Sequence, residues 1–213
     1  MIFLLLVVSG GVTSLALSPA GFMVALCAFA LPLSAASTTQ SPFRSALLLW
    51  CGAWGYFSVS LYWLGSALFA GPEIFVWLLP LVCLGFPAFI ALFWAVPGYI
   101  AVKLASTPMM RLVLIILGLG ISEYLRTILF TGFPWNAPAQ IVMASETISQ
   151  SAAYIGQHGL NFVMFMIMGA VVCLYQRRGK AVLFFIAPAI LVFSLAGLRS
   201  FEAPPLAHLT DGN

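Results

Sequence analysis

Charge is what this sequence has least of. Its 213 residues carry eight Lys/Arg and five Asp/Glu, 6% in all, while 63% are hydrophobic and 14% aromatic. A soluble domain carries roughly 25% charged and about 45–50% apolar residues. So few ionic groups cannot cover a globule of this size with a surface that water tolerates. A soluble enzyme, a nucleic-acid binder and a disordered chain are thereby excluded, and an integral membrane protein remains.

Other absences narrow the class further. The four cysteines (Cys27, Cys51, Cys83 and Cys173) stand singly in apolar runs, without CxxC spacing. They read as small buried residues, so neither a disulfide framework nor a metal site is expected, and no cofactor either. The first residues lack a basic n-region and apolar sequence resumes directly after Ser18-Pro19, which argues against a cleaved signal peptide. No internal repeat and no matched pair of broken helices is visible, which weighs against an inverted-repeat transporter.

What is present is apolar sequence in long, non-alternating runs. Crossing the hydrocarbon core takes about 20 residues of helix. Unpaired backbone in lipid leaves only helices or closed barrels, and these runs are too long for barrel strands. The reading is an all-α polytopic bundle of about seven transmembrane helices, near 2–17, 20–34, 45–69, 74–104, 111–130, 150–175 and 181–199. The first two are short and joined through Ser18-Pro19. The fourth carries Pro80, Pro87 and Pro97 and should be kinked, because each proline removes a backbone donor.

Orientation follows from the basic residues. Arg44, the pair Lys103 and Arg111, and the group Arg177, Arg178 and Lys180 fall in or beside alternate loops. The positive-inside rule makes that side cytoplasmic. The Gly71-Pro72-Glu73 turn, the 131–149 loop and the end of the last span then face outward, with the N-terminus inside and the C-terminus periplasmic. Residues 1–199 form the membrane domain. The polar, proline-rich stretch 200–213 reads as a periplasmic linker cut short.

Ionisable groups inside a membrane each need an account. Glu123 and Arg126 lie three apart on one helical face, within salt-bridging range. Glu123 is about 18 Å along the axis from Arg111 at 1.5 Å per residue, in the outer half of the bilayer. The pair is either a structural ion pair, a polar floor under an external site, or an anchor for a headgroup phosphate at Arg126. Next comes Thr131-Gly132-Phe133-Pro134-Trp135-Asn136-Ala137-Pro138, a turn with interfacial aromatics. Gln150, Tyr154, Gln157, His158 and Asn161 have the spacing of one helical face, and such a stripe should meet protein or a wet cavity. His158 has no Ser, Cys or Asp at triad spacing and reads as a packing residue.

The run Ile121-Ser122-Glu123-Tyr124-Leu125-Arg126, followed by Thr131-Gly132-Phe133-Pro134-Trp135-Asn136, resembles the membrane domain of bacterial apolipoprotein N-acyltransferases. The pattern there is E-[WY]-L-R, a few residues, then T-G-F-P-W. Gly55-Tyr56-Phe57, Leu61-Tyr62-Trp63-Leu64, Ala91-Leu92-Phe93-Trp94-Ala95 and Gly159-Leu160-Asn161-Phe162 add weaker matches, to about residue 200.

The resemblance implies an inner-membrane enzyme that moves an acyl chain from phospholipid to a cysteine thiol. The chain then passes to the N-terminal diacylglyceryl-cysteine of an apolipoprotein, in ping-pong fashion. It further implies a Glu–Lys–Cys triad in a nitrilase-like domain after the seventh span, and no triad position can be carried over to this sequence. Glu123, Arg126, Gly132, Phe133, Pro134, Trp135 and Asn136 are expected to shape the lipid-facing floor of the site, with no catalytic residue among them. The expected partners are membrane phospholipid and, where a nitrilase-like domain is supplied separately, the apolipoprotein N-terminus. The leading expectation is a truncated or split enzyme, inactive alone. A non-enzymatic lipid-binding scaffold is the alternative.

Overall fold

The computed structural model describes residues 1–69 and 73–202, and these are helical with no strand among them. The expected Gly71-Pro72 turn and most of the 200–213 linker lie outside the described residues. Among the described residues there are eight α-helices: α1 (Ile2–Ser14), α2 (Ala30–Thr38), α3 (Pro42–Ser60), α4 (Phe86–Leu104), α5 (Pro108–Arg126), α6 (Glu146–Ser149), α7 (Ala152–Tyr175) and α8 (Gly179–Glu202). Tighter helical turns join them, notably Met23–Phe29, Tyr62–Phe69, Glu73–Leu78 and Pro138–Ala144.

Four helical stretches among the described residues are long and apolar enough to cross a membrane: Phe75–Leu104, Pro108–Arg126, Ala152–Tyr175 and Gly179–Phe201. A fifth is the pair Pro42–Ser60 and Tyr62–Phe69, bent by 44°. The first two expected spans are short helices, Ile2–Ser14 and Met23–Thr38. Thirteen residues of α1 reach only about 20 Å, against a hydrocarbon core of about 30 Å. Among the described residues, length and composition alone therefore mark four crossings, or five with the bent pair.

Apolar stripes mark the outer faces. Phe89, Leu92, Val96 and Ile100 recur every three or four residues along α4 and are all exposed. An exposed apolar band of that kind is stable in lipid rather than in water. The prolines act where they stand: Pro87 occupies the first turn of α4, Pro97 lies within it, and Pro80 precedes a widened turn at Leu81–Gly85. Two α3 indoles fasten this irregular region, Trp50 donating to the Ala88 carbonyl at 2.9 Å and Trp54 to the Leu84 carbonyl at 3.0 Å.

Glycine makes α1 and α3 meet backbone to backbone. A Cβ on Gly10 would lie 1.8 Å from the Gly52 carbonyl oxygen, and one on Gly55 would lie 1.9 Å from that of Val7. Small residues at helix contacts are a membrane-bundle device, since van der Waals packing replaces the hydrophobic drive there. Cys51 and Cys173 are buried, Cys27 and Cys83 half-buried, and all four are free.

Candidate functional site

Helix α5 carries the site because of what its two ends bind. Thr107 caps it, its hydroxyl accepting from the Met110 N–H at 3.3 Å, and Pro108 opens the first turn. Its buried stripe runs Arg111, Leu112, Ile115, Ile116, Leu119, Ser122, Glu123 and Arg126, so two of its three charged residues continue the apolar face at the far end. Arg111, which charge alone placed beside a cytoplasmic loop, is buried too. Its guanidinium donates to the carbonyls of Ala105 at 2.9 Å, Thr39 at 2.8 Å and Ser106 at 3.1 Å.

At the other end, Glu123 and Arg126 are each about 1% exposed and form the only ion pair among the described residues. The contact is two-pronged: Arg126 Nε donates to Glu123 Oε1 at 3.0 Å and Nη2 to Oε2 at 2.8 Å. Trp94 Nε1 donates to the same Oε1 at 2.7 Å. The remaining guanidinium donors reach forward to the Trp135 carbonyl, at 3.3 Å from Nη1 and 3.2 Å from Nη2. The Phe57 ring lies 4.9 Å beneath the guanidinium carbon. A charge pair at this depth holds only when its oxygens and N–H groups are satisfied, as they are here.

Trp94 is the hub of that floor. Its ring is surrounded by Phe29, Tyr56, Phe57 and Phe165 at centroid distances of 5.0–5.2 Å. Those neighbours come from the Met23–Phe29 turn, α3 and α7, so the cluster joins four parts of the chain. The sequence block around Trp94 carries part of the family resemblance but does not disclose this role. An indole in mid-span, away from the interface, needs a buried acceptor, and that requirement was the available signal.

The motif 131–136 is a loop fastened to this floor. The Phe133 N–H donates to the Arg126 carbonyl at 2.7 Å and closes the chain back on α5. Phe130, Thr131, Gly132 and Asn136 all take positive φ, and a Cβ on Gly132 would stand 2.4 Å from the Thr127 carbonyl oxygen. Asn136 ties the loop to the end of α3. Its side-chain amide donates to the Ser60 carbonyl at 2.7 Å, and the Tyr56 hydroxyl donates to the Asn136 carbonyl at 2.9 Å. Phe133 is half-buried with its ring edge to face on Phe86 at 4.9 Å, while Pro134 and Trp135 are exposed. Trp135 pairs with exposed Trp63 at 6.0 Å.

Two clefts flank the loop. One, of about 160 Å³, lies between Phe86, Phe89, Phe93, Phe130 and Phe133 above Arg126. The other, of about 200 Å³, is lined by Ser14, Ser18, Ser60, Tyr62 and Asn136. The Ser60 hydroxyl is buried without a hydrogen-bond partner.

Two expectations change. Arg126 has little left for a headgroup phosphate, because it is about 1% exposed and four of its five N–H donors go to Glu123 and Trp135. The stripe Gln150, Tyr154, Gln157, His158 and Asn161 is not one helical face. Gln150 ends the short helix α6, and Gly156 (φ 64°, ψ 179°) breaks α7 in a backbone region open essentially to glycine alone. Asn161 is buried and its Oδ1 accepts the Ala139 N–H at 2.8 Å, which seats the segment after the loop. Tyr154 donates to the Leu195 carbonyl at 3.2 Å, the His158 ring packs edge to face on Tyr124 at 5.2 Å, and Gln157 is exposed.

The arrangement is therefore a rigid buried polar floor, a strapped loop and an exposed aromatic rim. A family model described as the apolipoprotein N-acyltransferase N-terminal domain matches residues 9–170. The chain belongs to the apolipoprotein N-acyltransferase family. It is 36% identical over 220 residues to the apolipoprotein N-acyltransferase of Rhizobium rhizogenes, covering 96% of this chain and 41% of that protein. The Brucella melitensis enzyme is 37% identical over 162 residues, 72% of this chain and 30% of its own length. That of Rhizobium meliloti is 36% identical over 165 residues, 77% and 31% respectively. The chain thus spans about two-fifths or less of the curated apolipoprotein N-acyltransferases it matches.

Proposed function

We propose that this chain is the lipid-docking membrane part of an apolipoprotein N-acyltransferase. In this reading phospholipid reaches the aromatic rim around Phe130, Trp135 and Trp63. The rim presents its acyl ester to a nitrilase-like catalytic domain contributed by the remaining length of the family's proteins. There the acyl chain forms a thioester with a cysteine, releasing the lysophospholipid. It is then handed to the α-amino group of an apolipoprotein's diacylglyceryl-cysteine, which regenerates the thiol.

The observation that carries the reading is the division of labour across residues 123–136. The ionic groups are buried and mutually satisfied, whereas Tyr124, Phe130 and Trp135 of the same stretch are exposed. Aromatic side chains in such a position suit the membrane–water interface, where ester and headgroup lie. The buried pair then serves to fix the rim and does no chemistry.

The accompanying topology is seven crossings of the bacterial inner membrane, with the N-terminus inside and the 131–149 loop outside. The short helices α1 and Met23–Thr38 make the first two crossings. The Arg111 bond to the Thr39 carbonyl supports the grouping of the basic loops, since it draws residues 39 and 105–111 to one end of the bundle.

The test is complementation. Residues 1–199 are fused to the unmatched remainder of the Rhizobium rhizogenes relative and expressed in cells depleted of their own apolipoprotein N-acyltransferase. The fusion should restore growth and the chain alone should not. A fusion that accumulates normally in the membrane yet fails to restore growth would overturn the reading.

A further inference from the structure

The end of the bundle away from the 131–138 loop also has the shape of a lipid site. Two concavities adjoin there, with Ala35 lining both. One is an open cup of about 300 Å³ bordered by Thr38, Thr39 and Arg44. The other is a trough of about 430 Å³ between α2 and α7, lined by Leu31, Ser34, Val171 and Tyr175. Both fall within the roughly 300–1,000 Å³ typical of small-molecule sites.

The order of the groups matters more than the volumes. Leu31, Ser34, Ala35 and Thr38 are spaced at three or four residues, so they form one face of α2. Along that face polarity falls from the cation and threonines, through one serine, to aliphatic side chains. A glycerophospholipid has the same sequence of groups: phosphate, glycerol ester, acyl chain. Tyr175 stands at the end of α7, where an interfacial aromatic belongs.

Charge points the same way. None of α1, α2, α3 or α7 contains an Asp or Glu, and Arg44 enters no ion pair among the described residues. Arg177, Arg178 and Lys180 follow α7 and are exposed. This end therefore presents positive charge without a carboxylate to answer it.

We infer that one glycerophospholipid docks here, its phosphate on Arg44 and an acyl chain in the trough between α2 and α7. The site is separate from the acyl-transfer rim. Thr39 is held to Arg111 at the start of α5, and Arg126 lies fifteen residues, about 22 Å, further along that helix.

The experiment uses the full chain purified in neutral detergent and phosphatidylglycerol carrying a diazirine in one acyl chain. After irradiation, cross-linked peptides are mapped by mass spectrometry. Adducts should fall on the segments around Leu31–Ala35 and Val171–Tyr175. Arg44→Ala should lower their yield about tenfold, the loss of a charge-assisted contact. Leu31→Trp should lower it as well by filling the trough, and Arg199→Ala should leave it unchanged. Arg44 and Leu31 are both exposed, so neither change threatens the fold. Adducts confined to other segments, or yields insensitive to Arg44→Ala and Leu31→Trp, would overturn the proposal. Complete displacement by inorganic phosphate would overturn it too, by showing a bare anion site.

Discussion

The Trp94 indole N–H donates to Glu123 Oε1 at 2.7 Å, across 29 residues of sequence and between α4 and α5. It gives the carboxylate a third donor and leaves Arg126 free to spend its outer N–H groups on the Trp135 carbonyl. The position of the exposed loop is thus set by a buried bond made elsewhere.

Removing Arg126 should be costly. Arg126→Ala strands a carboxylate that is about 1% exposed, and breaking a buried pair costs about 3–5 kcal/mol. Arg126→Lys should not rescue it, since a single ammonium cannot bridge Glu123 and the Trp135 carbonyl as the fork does. Thermal unfolding in detergent checks both, and a melting temperature near that of the parent would show the pair to be solvated.

Removing both charges should hurt less than removing one. The double change Glu123→Leu with Arg126→Leu leaves no uncompensated buried ion, so its loss of stability should be smaller than the sum of the single losses. Strict additivity of the three melting measurements would contradict a directly coupled pair.

Trp94→Phe keeps an aromatic ring but deletes the N–H to Glu123. The expected loss is about 1.5–3 kcal/mol, the range for a hydrogen bond to a charged group. If unfolding in detergent is unchanged, the indole is a packing residue only.

Much of this was legible in the sequence. Low charge and long apolar runs were enough for the helical membrane class. The segment ends were less accurate where polar detail decides them. The fifth segment begins at Pro108 because Thr107 caps it, and ends at Arg126, not 130, because Phe133 turns back to the Arg126 carbonyl. Spacing brought out Glu123 and Arg126 as a pair, but their third partner Trp94 is a tertiary contact that no local periodicity encodes. The spacing from Gln150 to Asn161 makes one face only on a continuous helix, and Gly156 interrupts that helix.

Gly132→Ala tests the strap. The residue has φ 83°, and a methyl group there would collide with the Thr127 carbonyl oxygen. A cost of about 1–3 kcal/mol is expected from the backbone conformation alone. Limited proteolysis should show faster cleavage within 131–138, and parental resistance would mean the turn tolerates a side chain.

The central claim is that the buried floor only positions, while the exposed rim handles lipid. It is tested most directly by the rate of acyl transfer from phospholipid in the fusion described above, with Trp135→Ala beside the parent. Trp135 is 55% exposed, so its removal should leave the melting temperature almost unchanged while transfer falls about tenfold or more. Transfer at the parental rate in a stably folded Trp135→Ala fusion would contradict the account.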